Sequence, residues 1–155
     1  MAQTFKEIVS DILESDNFKK MKEYRHHGNI STYKHSITVA FLVYKHYKDK
    51  NTKYDLKDIV RGAILHDYYL YDWHHTGEGH RLHGFRHPYF AYKNAKKEYE
   101  ISYVMKDIII HHMFPLVIIP PKTKPGWVVS YYDKVASRHD YKRHKMAKKL
   151  KRKRA

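Results

Sequence analysis

The sequence predicts an all-α protein. Apolar residues recur at helical spacing in six stretches, alternation of the strand kind is not sustained, and capping residues or Gly/Pro clusters stand where those stretches begin and end. In 155 residues, apolar positions from Phe5 to Val135 are enough for one domain with a sizeable core. The expected organisation is a helical domain over 1–137, followed by a basic tail over 138–155, helical at first and then frayed.

Apolar residues at 5, 8, 9, 12 and 13 mark one face of a first helix near 4–15, with Thr4 and Glu7 spaced as a capping box. After a polar stretch containing Gly28 and Asn29, Ser31 or Thr32 can cap a second helix whose inner face is Val39, Ala40, Val43, Tyr44 and Tyr47. Asp55 caps a third, through Leu56, Ile59, Val60, Ala63, Ile64 and Leu65. Residues 68–86 lose the period and hold Gly77, Gly79 and Gly84, so they read as a loop. Pro88 suits the first turn of a fourth helix over 89–99, and a fifth covers 101–112. Pro115, Pro120, Pro121 and Pro125 then delay the sixth until Trp127, from which Val128, Val129, Tyr132 and Ala136 form its inner face.

Composition narrows the chemistry. With no cysteine, disulfides and thiolate metal sites are excluded, leaving nitrogen and oxygen donors. Residues 1–11 lack a signal-peptide pattern and no stretch reaches the ~20 apolar residues of a membrane span, so a cytoplasmic protein is expected. The formal charge is +15, but nine Lys and Arg fall in 141–155 with no acid, leaving +6 on the first 140 residues. Polyanion binding, to nucleic acid above all, is therefore a property expected of the tail.

The informative residues are polar ones on apolar faces. His66 and Asp67 end the third helix, His35 lies four residues before Val39, and Asp133 lies between Val129 and Ala136 on one face. Buried imidazoles and carboxylates are costly unless paired or bound to a metal. Neighbouring residues on a helix diverge by about 100°, so His66 and Asp67 share a cation only if it sits off the helix, closed by His35 and Asp133. Such a set suits Mn, Fe, Zn, Co or Ni, and a water acidified on the ion would be a hydroxide nucleophile near neutral pH.

The stretches Tyr33-Lys34-His35-Ser36-Ile37-Thr38-Val39-Ala40, Gly62-Ala63-Ile64-Leu65-His66-Asp67 and Tyr131-Tyr132-Asp133-Lys134-Val135-Ala136-Ser137 resemble the HD domain family of metal-dependent phosphohydrolases. Its order is a histidine, a His-Asp doublet and a distant aspartate, and the resemblance spans roughly 30–137. It implies an HD-domain-like all-α bundle of five to seven helices around a buried site for one or two divalent ions, Mg included. The implied activity is a phosphomonoesterase or phosphodiesterase using a metal-bound hydroxide, with a nucleotide as the expected phosphorylated substrate.

Two-metal members of that family place further histidines between the doublet and the last aspartate. His87 and His112 are the choices here, with Asp67 bridging, and His83 and His111 are close rivals. Asp72 is a candidate general acid or a hydrogen-bond partner of a ligand histidine, and Lys134 and Arg86 are candidates to hold a phosphate. The doublet is followed by Tyr68-Tyr69-Leu70-Tyr71-Asp72-Trp73 instead of the small residue and lysine common in catalytic members. His26, His27, His46, His139 and His144 are expected in solvent, while His74, His75 and His80 form a His-rich loop that can line the pocket. The competing function is an RNA- or ribosome-associated binding module with a structural or inactive metal site and the tail supplying affinity.

Overall fold

Thr4 opens the first helix, α1 (Phe5–Glu14), through a complete capping box: its hydroxyl accepts from Glu7 N and the Glu7 carboxylate accepts from Thr4 N. Ile8, Val9 and Ile12 on its inner face are buried against α4 (Leu56–Ile64). This computed structural model describes residues 3–74 and 82–154, and among them there are seven helices and no strand. His75 and His80 of the expected His-rich loop lie outside the described residues.

A short helix, α2 (Asp16–Lys20), occupies what reads as a polar connection. Ser15 caps it and Phe18 packs on Tyr33 and Tyr68. One apolar residue carries no period, so nothing in the pattern announces the element. Helix α3 (Thr32–Tyr47) starts at its Ser31 cap and α4 at its Asp55 cap, as their sequences predict.

Helix α5 (His83–Glu98) begins five residues before Pro88, so the expected start at the proline is corrected. The buried His87 and Pro88 hold those turns in place although proline costs the helix a hydrogen bond. His87 consequently projects from within a helix. Helix α6 (Tyr103–His111) follows a Ser102 cap.

The last helix, α7 (Lys124–Arg154), also starts earlier than Trp127, because Pro125 falls in its first turn, where no N–H is needed. Thr123 accepts from Gly126 N through its hydroxyl, and Asp107 of α6 receives Thr123 N, Thr123 Oγ1 and Lys122 N. One buried carboxylate thus ties α6 to the start of α7. Residues 138–154 continue α7 without a break.

Helix α3 packs on α4 and α7, α4 on α6, and α6 on α5 and α7. At Gly62 a Cβ would come within 2.9 Å of Ile108 Cδ1 and 3.1 Å of Met105 Cα, so the missing side chain lets α4 and α6 approach closely. The core of Val39, Val43, Ile59, Ile64, Met105, Ile108 and Val129 lies between these four helices. No helix among the described residues is long and apolar enough to cross a membrane.

Candidate metal centre

His66 and Asp67 follow the last turn of α4, where Leu65 closes the helix by donating to Arg61 O. Freed from helical geometry, the two side chains turn into the same interior. The turn beyond them is gripped from α5, where Asn94 donates to Tyr68 O and Tyr69 O. Tyr68 and Tyr69 are buried packing residues with their hydroxyls on Glu98 and Thr32.

Around this doublet the fold collects His35 from α3, His87 from α5, His112 from the end of α6 and Asp133 from α7, all of them buried. Asp67 stands at the middle. Its Oδ2 lies 3.4 Å from His66 Nε2 and 3.9 Å from His35 Nε2, while its Oδ1 lies 3.1 Å from His87 Nε2 and 3.4 Å from His112 Nε2. Asp133 Oδ1 is 2.9 Å from His35 Nε2 and 3.6 Å from His66 Nε2.

Three of these histidines are aimed by the backbone. His66 Nδ1 donates to Ala63 O, His87 Nδ1 to His83 O and His112 Nδ1 to Ile109 O. A carbonyl can only accept, so each Nδ1 carries the hydrogen and each Nε2 lone pair points at the centre, as in metal-binding histidines. His66 Nε2 is buried with no hydrogen-bond partner among the described residues. His87 Nε2 and His112 Nε2 lie 3.0 Å apart. Lone pairs gathered in this way call for a cation, and imidazole with carboxylate oxygen suits the first-row divalent metals.

The carboxylates favour positive charge in the centre, whether a proton or a cation carries it. Burial works against charge on His35 and His66, yet Asp133 with Asp140 overcomes it at His35 and Asp67 with Asp133 at His66, raising both, His66 strongly. Burial would raise Asp67 and Asp133, but the adjacent histidines hold both well below the usual carboxylate range. His112 is lowered, chiefly by burial.

Other expected residues lie elsewhere. His111 Nδ1 pairs with Asp107, and His83 Nδ1 bonds to Tyr71 OH while its ring stacks between Trp73 and His87. Asp72 receives His74 N and is absent from the described lining of the cavity beside the centre. Arg86 is exposed, with its guanidinium over the Phe90 ring. Lys134 Nζ donates to His112 O, Ser130 O and Ser130 Oγ, so it braces the end of α6 against α7, and burial lowers its pKa.

The expectation of a solvated His26 is overturned. It is 8% exposed, its Nε2 lies 3.2 Å from Asp67 Oδ2, and burial pushes its pKa to about 4. It comes from a loop folded back by a His26 N to Ile30 O bond and a left-handed Gly28, where periodicity is silent. Asp140 joins the site from outside the predicted set, its Oδ2 3.5 Å from His35 Nδ1. The sequence carries a signal for it, since seven residues after Asp133 is two helical turns on the same face.

A cavity of about 1080 Å³ opens over the centre, walled by Trp73, His83, Met113, Leu116 and Tyr141, with Lys134 and Arg138 at one side. The HD domain family model matches residues 32–143, from the start of α3 to well within α7. No curated protein and no solved structure matches the chain.

Proposed function

Given that the chain belongs to the HD domain family of metal-dependent phosphohydrolases, we propose that it hydrolyses a phosphomonoester or phosphodiester bond, with a nucleotide as substrate. The observation that carries this reading is the two-sided environment of Asp67, whose oxygens each face their own set of imidazole nitrogens. His35, His66, Asp133 and Asp67 Oδ2 would hold one divalent ion, and His87, His112 and Asp67 Oδ1 a second. Bound divalent ions supply acidification of a water and neutralisation of charge on phosphoryl oxygens.

The chain's own part is to position. The carbonyls of Ala63, His83 and Ile109 fix the ring faces of His66, His87 and His112. Ser130 and Lys134 both donate to His112 O, which keeps the end of α6 in register with α7. Arg138, one turn after Lys134 on the cavity wall, is better placed than Arg86 to orient a phosphate. Asp72 as proton donor has less support, since the cavity's described lining does not contain it.

The cavity supports the nucleotide. Its volume exceeds what a phosphate alone needs, and Trp73, stacked on His83 with rings 4.9 Å apart and 8° from parallel, gives it an aromatic wall. The test is turnover of an aryl phosphate and a nucleotide panel by purified protein with Mn, Co or Ni. Asp67→Ala is expected to abolish it, and turnover that survives this substitution would come from some other source than this centre.

A further inference from the structure

His26 lies outside the matched segment of the family model, which begins at residue 32, yet it reaches the interior of the centre. Its loop is built for that. Arg25 and Ser31 form a bridge, Tyr24 O accepts both Thr32 N and Thr32 Oγ1, and Gly28 adopts φ +64° directly against His144 of α7, where a Cβ would lie 2.6 Å from His144 Cβ. Loop and helix together press the His26 ring flat on His35, with centroids 3.7 Å apart and planes 13° from parallel.

Hydrogen bonding alone does not explain the arrangement. Three imidazole nitrogens converge on Asp67 Oδ2, from His26 at 3.2 Å, His66 at 3.4 Å and His35 at 3.9 Å. His66 Nε2 makes no hydrogen bond among the described residues despite this approach, and His35 Nε2 is beyond hydrogen-bond range of Asp67 and bonds to Asp133 Oδ1. His26 Nδ1 is buried with no hydrogen-bond partner among the described residues, so the cost of burying the ring must be offset at Nε2. The donor atoms of His26, His35, Asp67 and Asp133 all lie within 4.8 Å of one another. That is close to the roughly 4.4 Å between opposite ligands of an ion bonded at about 2.2 Å.

We propose that His26 is a further protein ligand of the ion on Asp67 Oδ2, supplied by the loop before α3 and joining His35, His66, Asp67 and Asp133. The assignment rests on the metal-dependent reading above. It gives the centre a third imidazole on this ion and makes the segment preceding α3 part of the metal site.

The test is Co2+ binding to full-length protein after chelator treatment, read by the affinity of the first equivalent and by the visible ligand-field spectrum. His26→Ala and His26→Gln are compared with the wild type and with Asp67→Ala. Glutamine can still donate a hydrogen bond to Asp67 but replaces imidazole poorly as a ligand. Both His26 variants are expected to bind the first equivalent about 10- to 100-fold more weakly, with an altered spectrum. If His26→Ala loses its helical circular dichroism, His26→Gln decides. Wild-type affinity and spectrum in His26→Gln, together with loss of binding in Asp67→Ala, overturn the His26 assignment alone. Failure of the wild type to bind Co2+ overturns the metal-dependent reading itself, and this assignment with it.

Discussion

His87 and His112 direct their Nε2 atoms at each other across 3.0 Å, with Asp67 Oδ1 beside both. Because each ring donates its Nδ1 hydrogen to a carbonyl, two lone pairs meet unless a proton or a cation lies between them. A divalent ion on this side predicts a separable equivalent of metal. His112→Ala should lose about one of two equivalents of Mn or Co and keep the other, as measured by metal analysis after desalting. Equal stoichiometry in variant and wild type would mean that this pair holds only a proton.

Asp140 addresses the other nitrogen of His35, at 3.5 Å, while Asp133 takes Nε2 at 2.9 Å. A carboxylate behind a metal-binding histidine fixes the ring and raises its basicity. Asp140→Asn is expected to weaken metal binding by about 10- to 100-fold while leaving the melting temperature of metal-free protein within a few degrees. Competition against a chelating dye, read beside a thermal melt, separates the two effects.

Stability at acid pH should depend on Asp107, which ties α6 to the start of α7. Burial would raise its pKa, but hydrogen bonds from Lys122 N, Thr123 and His111 more than reverse this and lower it. A lowered folded-state pKa means a contribution fully present above the ordinary carboxylate value of about 4 and lost as pH falls through the folded value. Asp107→Ala strands buried donors and should cost about 2–4 kcal/mol at neutral pH. Denaturation of wild type and variant across pH should show that gap shrinking only under acid conditions. A gap that is constant down to pH 2 would remove the ionised carboxylate as its cause.

The basic end of α7 divides into two parts at His144. Asp140 and His144 pack on His35 and Gly28, and Tyr141 lines the cavity, whereas Lys142, Arg143, Lys145, Lys148 and Lys149 are exposed. Truncation after His144 should leave aryl phosphate turnover within about twofold and reduce any binding to RNA or DNA, which should itself fall steeply with salt. Truncation after Ser137 removes Asp140 and should depress metal binding at least about tenfold. Equal metal binding by the two truncated proteins would show that residues 138–144 do not serve the centre.

The helical class, the caps at Thr4, Ser31 and Asp55, and the family, through the spacing of His35, His66, Asp67 and Asp133, are legible in the linear order of residues. Those are local or ordered properties: a cap acts on its own first turn, a period shows on one helix face, and a motif survives as linear order. Tertiary structure decided which histidine of each nearby pair turns inward, with His87 and His112 beside Asp67 while His83 and His111 bond to Tyr71 and Asp107. It also decided that His26 belongs to the interior. A loop has no periodicity to betray where its side chains point, and neighbouring histidines differ only in rotation about a helix axis, which packing against other helices sets.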